Sequence, residues 1–249
     1  IRKKFNIEIV PLSVHFDEEV YRDGIDIDST TFFNKLSQAD NIPTTSMPPV
    51  SSFLEKYKEM AKEYDSIISI HLSSELSGTF QSAQMASEQL SDIDIHVVDS
   101  CTISLGLAFY TILAAKLAKN GFSIPKILET IEKAKENFIL YFTVDDLKYL
   151  KAGGRIGKAR ALLGSILNIN PIITIDSISG EVEPIDKQRG SKRTMNKMIE
   201  IGKEQLKDSK YAWIGFAHGN RKSDMNSFKN SLLSSIEDLN FDYKTYTSQ

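Results

Sequence analysis

Ser66-Ile67-Ile68-Ser69-Ile70-His71-Leu72-Ser73-Ser74-Glu75-Leu76-Ser77-Gly78-Thr79-Phe80 is where the chain declares its architecture. Residues 66–70 form a short β-branched run that reads as a strand, and the hydroxyl-rich segment 71–79 reads as a loop. The apolar spacing after it predicts a helix over about 80–90. Residues 93–98 then read as a second strand, ending in Asp99-Ser100. An apolar helical stretch over 103–117 follows, closed by Asn120-Gly121, a common C-terminal stop. Ser123-Ile124-Pro125 opens another helix to about 136, and 138–142 is the next strand. Strand, loop, helix repeated in this way signals an α/β unit with a parallel sheet.

Working toward the N-terminus, Phe5-Asn6-Ile7-Glu8-Ile9-Val10 alternates apolar and polar residues and is expected to be a strand. The stretch 17–24 reads as a turn or short hairpin, and Asp28-Ser29-Thr30 caps a helix carrying Phe32, Phe33 and Leu36. The run Thr44-Thr45-Ser46-Met47-Pro48-Pro49 makes a helix entrance, because proline suits the first turn and serine can cap it. Toward the C-terminus, Ala152-Gly153-Gly154-Arg155-Ile156-Gly157 is a glycine-rich turn before a short helix over 159–167. Ser177-Ile178-Ser179-Gly180 joins two strand-like segments, 171–175 and 181–185, as a hairpin. Helices over 191–206 and 222–239 flank a strand at 211–217, and 243–246 reads as one more strand. The expected fold is therefore α/β in two lobes. Residues 1–150 form an N-terminal lobe with a mostly parallel sheet, and 151–249 form an α+β lobe with a hairpin.

Composition narrows the function classes. Across 249 residues, 30 basic and 33 acidic side chains leave a net charge of -3, without the basic excess of a phosphate-neutralising nucleic-acid binder. The one cysteine, Cys101, excludes an internal disulfide framework and multi-cysteine metal sites. No apolar run reaches the ~20 residues needed to span a bilayer. Ile1-Arg2-Lys3-Lys4 leads directly into the first strand-like segment without a secretory pattern, so a soluble, cytoplasmic protein is expected.

Chemistry concentrates in two hydroxyl-rich loops, Thr44-Thr45-Ser46 and Ser73-Ser74 with Ser77-Gly78-Thr79, each set between an extended segment and a helix. In open α/β sheets, ligands bind beyond the carboxyl ends of the strands, where helix N-termini offer N–H donors and partial positive charge to a carboxylate or phosphate. Gly78 lets a ligand approach the backbone closely. Each loop alone reads first as a helix cap; two of them side by side shift the reading toward an anion site. Gly153-Gly154-Arg155-Ile156-Gly157 lacks the Gly-Lys-Ser/Thr end of a P-loop and the leading strand of a dinucleotide fingerprint. Arg155 is either a carboxylate-binding arginine or a solvated residue of an interdomain turn. The histidines His15, His71, His96 and His218 show no metal-ligand spacing, although His71 and His218 end strands. Ser77 has no nucleophile-elbow context and Cys101 no activating neighbour, so no catalytic residue and no metal is assigned. Two basic clusters, Lys151, Arg155, Lys158, Arg160 and Lys187, Arg189, Lys192, Arg193, read as solvated surface or as a docking face for an acidic or phosphate-bearing partner.

Four segments, in order, resemble the bacterial DegV family, the fatty-acid-binding proteins of fatty acid kinase systems. Pro43-Thr44-Thr45-Ser46-Met47-Pro48 is similar to the family's Thr-Ser-Gln-Pro element, and residues 70–83 to its serine-rich loop and helix. Val98-Asp99-Ser100 with Gly106, and Leu150-Lys151-Ala152-Gly153-Gly154-Arg155-Ile156, match two further elements. The resemblance implies a long-chain fatty acid buried between two α/β lobes. Its carboxylate would be held by the Thr45 and Ser77 hydroxyls, with the Ser46 and Gly78 backbone helping. Residues 105–109 and 162–167 are the expected walls of the acyl tunnel. It also implies that the chain is a lipid-binding carrier with no cofactor and no catalysis of its own. A separate fatty acid kinase subunit would phosphorylate the bound acid to acyl phosphate for phospholipid synthesis, with Arg155 as a fifth ligand-binding residue, kinase-facing and next to the carboxylate. Family members usually open with a strand ending in Thr-Asp-Ser and close with His-x-Gly-Pro-Gly. This chain has neither, so truncation at both ends is expected, with the site short of one histidine. Met47 stands where the family has glutamine. The competing expectation from the residues is an enzyme acting on a phosphorylated small molecule at the same helix entrances; a third is a regulatory module using the basic clusters.

Overall fold

The first elements of the computed structural model, which describes residues 2–163, 169–239 and 241–248, are α1 (Arg2–Phe5), β1 (Ser13–Phe16) and β2 (Glu19–Arg22). Next come α2 (Ser29–Gln38), β3 (Thr44–Ser46), α3 (Val50–Met60), β4 (Ser66–His71), α4 (Thr79–Glu88) and β5 (Asp94–Asp99). They are followed by α5 (Ser104–Lys119), α6 (Ile124–Glu136), β6 (Tyr141–Thr143), α7 (Lys148–Ala152) and a 3-10 turn at Gly157–Leu162. The chain ends with β7 (Ile169–Ile175), β8 (Val182–Arg189), α8 (Ser191–Leu206), β9 (Tyr211–Ala217), α9 (Lys222–Ser235) and β10 (Asp242–Ser248).

These elements form two compact units, each built from separate stretches of chain. The first holds Ile1–Asp28, Ala39–Leu140 and Ile175–Glu181; the second holds Ser29–Gln38, Tyr141–Thr174 and Val182–Gln249. The class is α/β, and among the described residues each unit has one parallel pair and one three-stranded sheet. In the first, β4 and β5 pair in parallel while β1 lies between β2 and β3, antiparallel to both. In the second, β9 and β10 pair in parallel and the other sheet runs β6-β7-β8.

Side-chain alternation explains how the β4–β5 pair is covered. Ile67 on β4, with Ile95 and Val97 on β5, packs on Phe53 and Tyr57 of α3 and on Ala83 and Ala86 of α4. Ile68, Ile70 and Val98 point the other way, onto Tyr110 and Ala114 of α5 and Ile127 and Ile131 of α6. A parallel pair buried on both faces reads as a nearly continuous apolar run, as 66–70 does. In the second unit Phe216 of β9 packs on Leu232 of α9 and on Ile236 at its C-terminal end, with Ile199 and Leu206 of α8 beside them.

Of three local expectations, the hairpin is met and the other two change. The alternating stretch 5–10 is no strand: α1 ends at Phe5, Asn6 adopts φ 52°, and the Ile7 N–H donates back to the Arg2 carbonyl at 3.1 Å. Pairing starts only at Ser13, beyond Pro11, which has no N–H to give to a ladder. The stretch 17–24 is a true hairpin, with Phe16 opposite Glu19 and Asp17 at φ 50° carrying the tight turn. Of the helix expected over 159–167, the described part is the 3-10 turn at Gly157–Leu162; residues 164–167 lie outside the described residues.

Candidate functional site

Thr45 and Ser46 sit on β3, which is held by β1 with Val14 opposite Thr45 and Ser13 opposite Ser46. Val14 and Phe16 are buried, so alternation along the strand turns Ser13 and His15 to the other face. Directly opposed residues of an antiparallel pair share a face, which places Thr45 with Val14 and Ser46 with His15. The His15 imidazole accordingly reaches diagonally to the Ser46 hydroxyl, with Nε2 and Oγ 2.9 Å apart. These hydroxyls do not cap the following helix, as the cap reading would have it. The N-cap of α3 is Pro49, with no side-chain hydrogen bond.

The second loop enters α4 through Gly78, its N-cap, again without a side-chain cap bond. The Ser77 hydroxyl lies 2.8 Å from Thr79 Oγ1 and accepts the Thr79 N–H at 3.3 Å. Met47 ties the two loops together. Its sulfur occupies the space where a Cβ on residue 78 would stand, and it accepts a weak hydrogen bond from Ser82 Oγ at 3.6 Å. Glycine at 78 thus leaves room for the Met47 side chain, which follows β3, while its backbone angles (φ -69°) would suit any residue. Thr45, Ser46, Ser77 and Gly78 therefore belong to one neighbourhood in the first unit, at the N-terminus of a helix of 10 residues. Such a helix end presents N–H donors and partial positive charge to an anion.

Behind the loops lies a hydrogen-bonded frame. The Ser100 N–H donates to the His71 carbonyl (2.9 Å) and the Ser73 N–H to the Thr102 carbonyl (2.8 Å), joining the loops that follow β4 and β5. Asp99 adds two more ties, accepting Cys101 N–H on Oδ1 at 2.8 Å and Ser74 N–H on Oδ2 at 3.2 Å. Below them a buried relay runs from the Tyr57 hydroxyl to Ser69 Oγ (2.8 Å) and on to His71 Nε2 (2.8 Å). The Phe53 ring stands edge-on to the imidazole at 5.2 Å. Burial pulls the His71 pKa down to about 4, the Asp99 charge opposing it, so the ring is neutral near pH 7. Burial, reinforced by Asp99, pushes the Cys101 thiol up, away from nucleophilic character. Residues 105–109 lie on α5. Gly106 is buried against Phe138 and Thr102, while Leu105, Leu107, Ala108 and Phe109 remain half-buried. Leu162 and Leu163 precede a stretch outside the described residues.

Arg155 belongs to the second unit. Gly154 (φ 74°) reverses the chain after α7, the Arg155 N–H donates to the Leu150 carbonyl at 2.9 Å, and Nη1 donates to the Gly153 carbonyl. In the first basic cluster, Lys158 pairs with Glu183 at 2.5 Å. His218, at the end of β9, accepts the Arg221 N–H on Nδ1 at 3.3 Å. His96 pairs with Asp94 on β5. Among the described residues no group of three or more His, Cys, Asp or Glu is placed to hold a metal, and no helix is long and apolar enough to cross a membrane.

Sequence reasoning singled out the hydroxyl loops but missed the groups that hold them: His15 on Ser46, Asp99 on Ser74 and on the Cys101 loop that follows β5, and the Tyr57–Ser69–His71 relay. Ser69 and His71 at alternate positions of one strand were the available signal, since i and i+2 share a face.

The family model described as "Uncharacterised protein, DegV family" matches residues 1–248. Protein DegV of Bacillus subtilis is 35% identical over 247 residues, covering 99% of this chain and 87% of that protein. Its crystal structure, described as that of a fatty acid binding protein, superposes with a TM-score of 0.87 over 99% of this chain and 86% of that one. The DegV family protein of Thermus thermophilus, whose structure is described in terms of fatty acid binding, reaches a TM-score of 0.91 at 30% identity. It covers 100% of this chain and 86% of that one. A fatty acid (stearic acid)-binding protein of Eubacterium ventriosum gives a TM-score of 0.85 at 25% identity, covering 97% of this chain and 84% of that one. With a family match along its length and more than a third of its residues shared with protein DegV, this chain belongs to the DegV family.

Proposed function

We propose that the chain binds a long-chain fatty acid and presents its carboxylate to a separate kinase subunit in the cytoplasm, which makes the acyl phosphate. The observation that carries this reading is the bridge from Met47 to Gly78 and Ser82, which gathers two hydroxyl loops at the entrance of α4. There the Thr45 and Ser77 hydroxyls and the Ser46 and Gly78 backbone form a donor set suited to one carboxylate. The fatty acid binding for which the relatives are described supports the choice of a carboxylate over a phosphate. Half-buried apolar side chains at 105–109 supply part of the wall for the tail. Covering a methylene is worth about 0.8 kcal/mol, so a long chain contributes most of the affinity and the hydroxyls fix its head. Arg155 acts on the kinase side, where a guanidinium can meet carboxylate or phosphate oxygens. The fatty acid is the ligand, and the proposal includes no cofactor.

Native mass spectrometry of the gently purified protein should find a copurified fatty acid. Thr45→Ala with Ser77→Ala should weaken fatty acid affinity by about tenfold or more per donor lost, since a bond to a charged group is worth ~1.5–3 kcal/mol. Absence of any copurified acid, together with no binding of added oleic acid, would sink the proposal. ATP turnover by the chain alone would replace it with an enzymatic reading.

A further inference from the structure

Ser73 is 0% exposed, and each of its polar groups is engaged. Its N–H donates to the Thr102 carbonyl at 2.8 Å, and its carbonyl accepts the N–H groups of Leu76 (3.1 Å) and Ser77 (3.2 Å). Its hydroxyl accepts the Glu75 N–H at 3.2 Å and donates to the Gly180 carbonyl at 2.8 Å. One buried serine thus sets the height of Ser77 and grips a turn distant in sequence.

That turn, residues 176–181, is preset for the grip. Asp176 Oδ1 accepts the N–H groups of Ile178 (3.2 Å) and Ser179 (2.7 Å), and its carbonyl accepts the Gly180 N–H at 2.8 Å. Gly180 adopts φ 74°, and a Cβ there would fall on Ser73 Oγ and 3.6 Å from Cys101 Cα. Only glycine brings its carbonyl this close to the serine. At the tip Ile178 is 87% exposed, so the turn is not anchored by burying its apolar residue.

We infer that Ser73 is a positioning residue of the carboxylate site, locking Ser77 through its carbonyl and coupling that loop through its hydroxyl to the Asp176 turn. The inference rests on the reading of Ser77 as a carboxylate donor and adds that the turn, which touches no ligand in that reading, sets affinity and senses occupancy. A ligand that holds Ser77 holds Ser73, and through it the Gly180 carbonyl. The coupling is reciprocal, so loosening the turn weakens the ligand by the same factor.

The test uses the full chain with oleic acid as the probe. Dissociation constants come from displacement of a fluorescent fatty acid, and amide exchange across 176–181 is followed with and without oleic acid. In the unaltered protein, oleic acid should slow exchange of the Ser179 and Gly180 amides by about threefold or more, because exchange reports local opening. Ser73→Ala should weaken oleic acid by about fivefold or more and abolish the slowing. Gly180→Ala should weaken binding too, but add little in the Ser73→Ala background, since coupled residues are not additive. No slowing of the turn in the unaltered protein overturns the inference, and that measurement needs no variant to fold. So does an affinity of Ser73→Ala within twofold of the parent. Ser77→Ala separates the two readings. Unchanged oleic acid affinity there overturns the carboxylate reading and this inference together. Weakening there, with Ser73→Ala unchanged, overturns the positioning role alone.

Discussion

His71 shows how a residue beside a site can matter without touching a ligand. Its imidazole lies between the Phe53 edge and the Ser69 hydroxyl, and burial holds its pKa down at about 4 against an ordinary value of 6.5. Above pH 6.5 the ring is neutral in both the folded and unfolded chain, and the folded state carries no penalty. As the pH falls from 6.5 to 4 the unfolded chain takes up a proton that the folded one refuses, so stability is lost through that window. The loss is on the order of 3 kcal/mol, taking ~1.4 kcal/mol per unit. Urea unfolding of the wild type and His71→Gln at pH 7.5 and pH 4 checks this: the wild type should lose more stability by about that amount. Equal losses would mean that His71 is protonated in the fold. The alternation of Ser69 and His71 was visible as a pattern. What the sequence does not carry is the Tyr57 hydroxyl above Ser69, because that contact depends on how α3 lies across β4.

At the scale of elements, the junction between β3 and α4 is the decisive one. The strand–loop–helix order from β4 onward follows from local periodicity, because strand and helix patterns differ in their repeat, 2 against 3.6 residues. The stretch 5–10 failed the same test. Its alternation is real, but Asn6 in the left-handed region and Pro11 without an N–H deny it a partner strand. Met47 illustrates a different limit. The resemblance says only that it stands where glutamine is usual; in the fold it lies across the first turn of α4 in the space left by Gly78. Gly78→Ala is therefore expected to change stability by no more than about 1 kcal/mol, because φ -69° suits any residue and the sulfur can swing aside. The displaced Met47 should loosen the pairing of the two hydroxyl loops and weaken fatty acid binding by about tenfold. Urea melts and fatty acid displacement on the same variant separate the two effects. Unchanged affinity would show that the Met47 contact does not organise the site.

At the scale of the molecule, each compact unit takes its residues from separate parts of the chain. The helix Ser29–Gln38 belongs with the second unit and Ile175–Glu181 with the first. Arg155 is in the second unit and the hydroxyl loops in the first, and the proposed division of labour follows that assignment. Arg155→Ala should lower the rate of kinase-dependent acyl phosphate formation by about tenfold or more while leaving fatty acid affinity within about twofold. The measurement pairs a coupled phosphorylation assay, using a fatty acid kinase subunit, with direct binding. A larger loss in binding than in phosphorylation would reassign Arg155 to the ligand.

Local chemistry made most of the order of strands and helices from β4 onward, the α/β class and the two hydroxyl-rich segments legible from the amino-acid sequence. These rest on residues within a few positions of one another: β-branched runs, prolines at helix entrances, and a glycine after α5. The interleaving of the units, the Met47–Gly78 contact and the grip of Ser73 on Gly180 were settled by tertiary structure alone. Each joins residues far apart in the chain. Which distant partner a buried hydroxyl, a sulfur or a glycine meets is decided by how whole elements pack, and short-range pattern does not encode that packing.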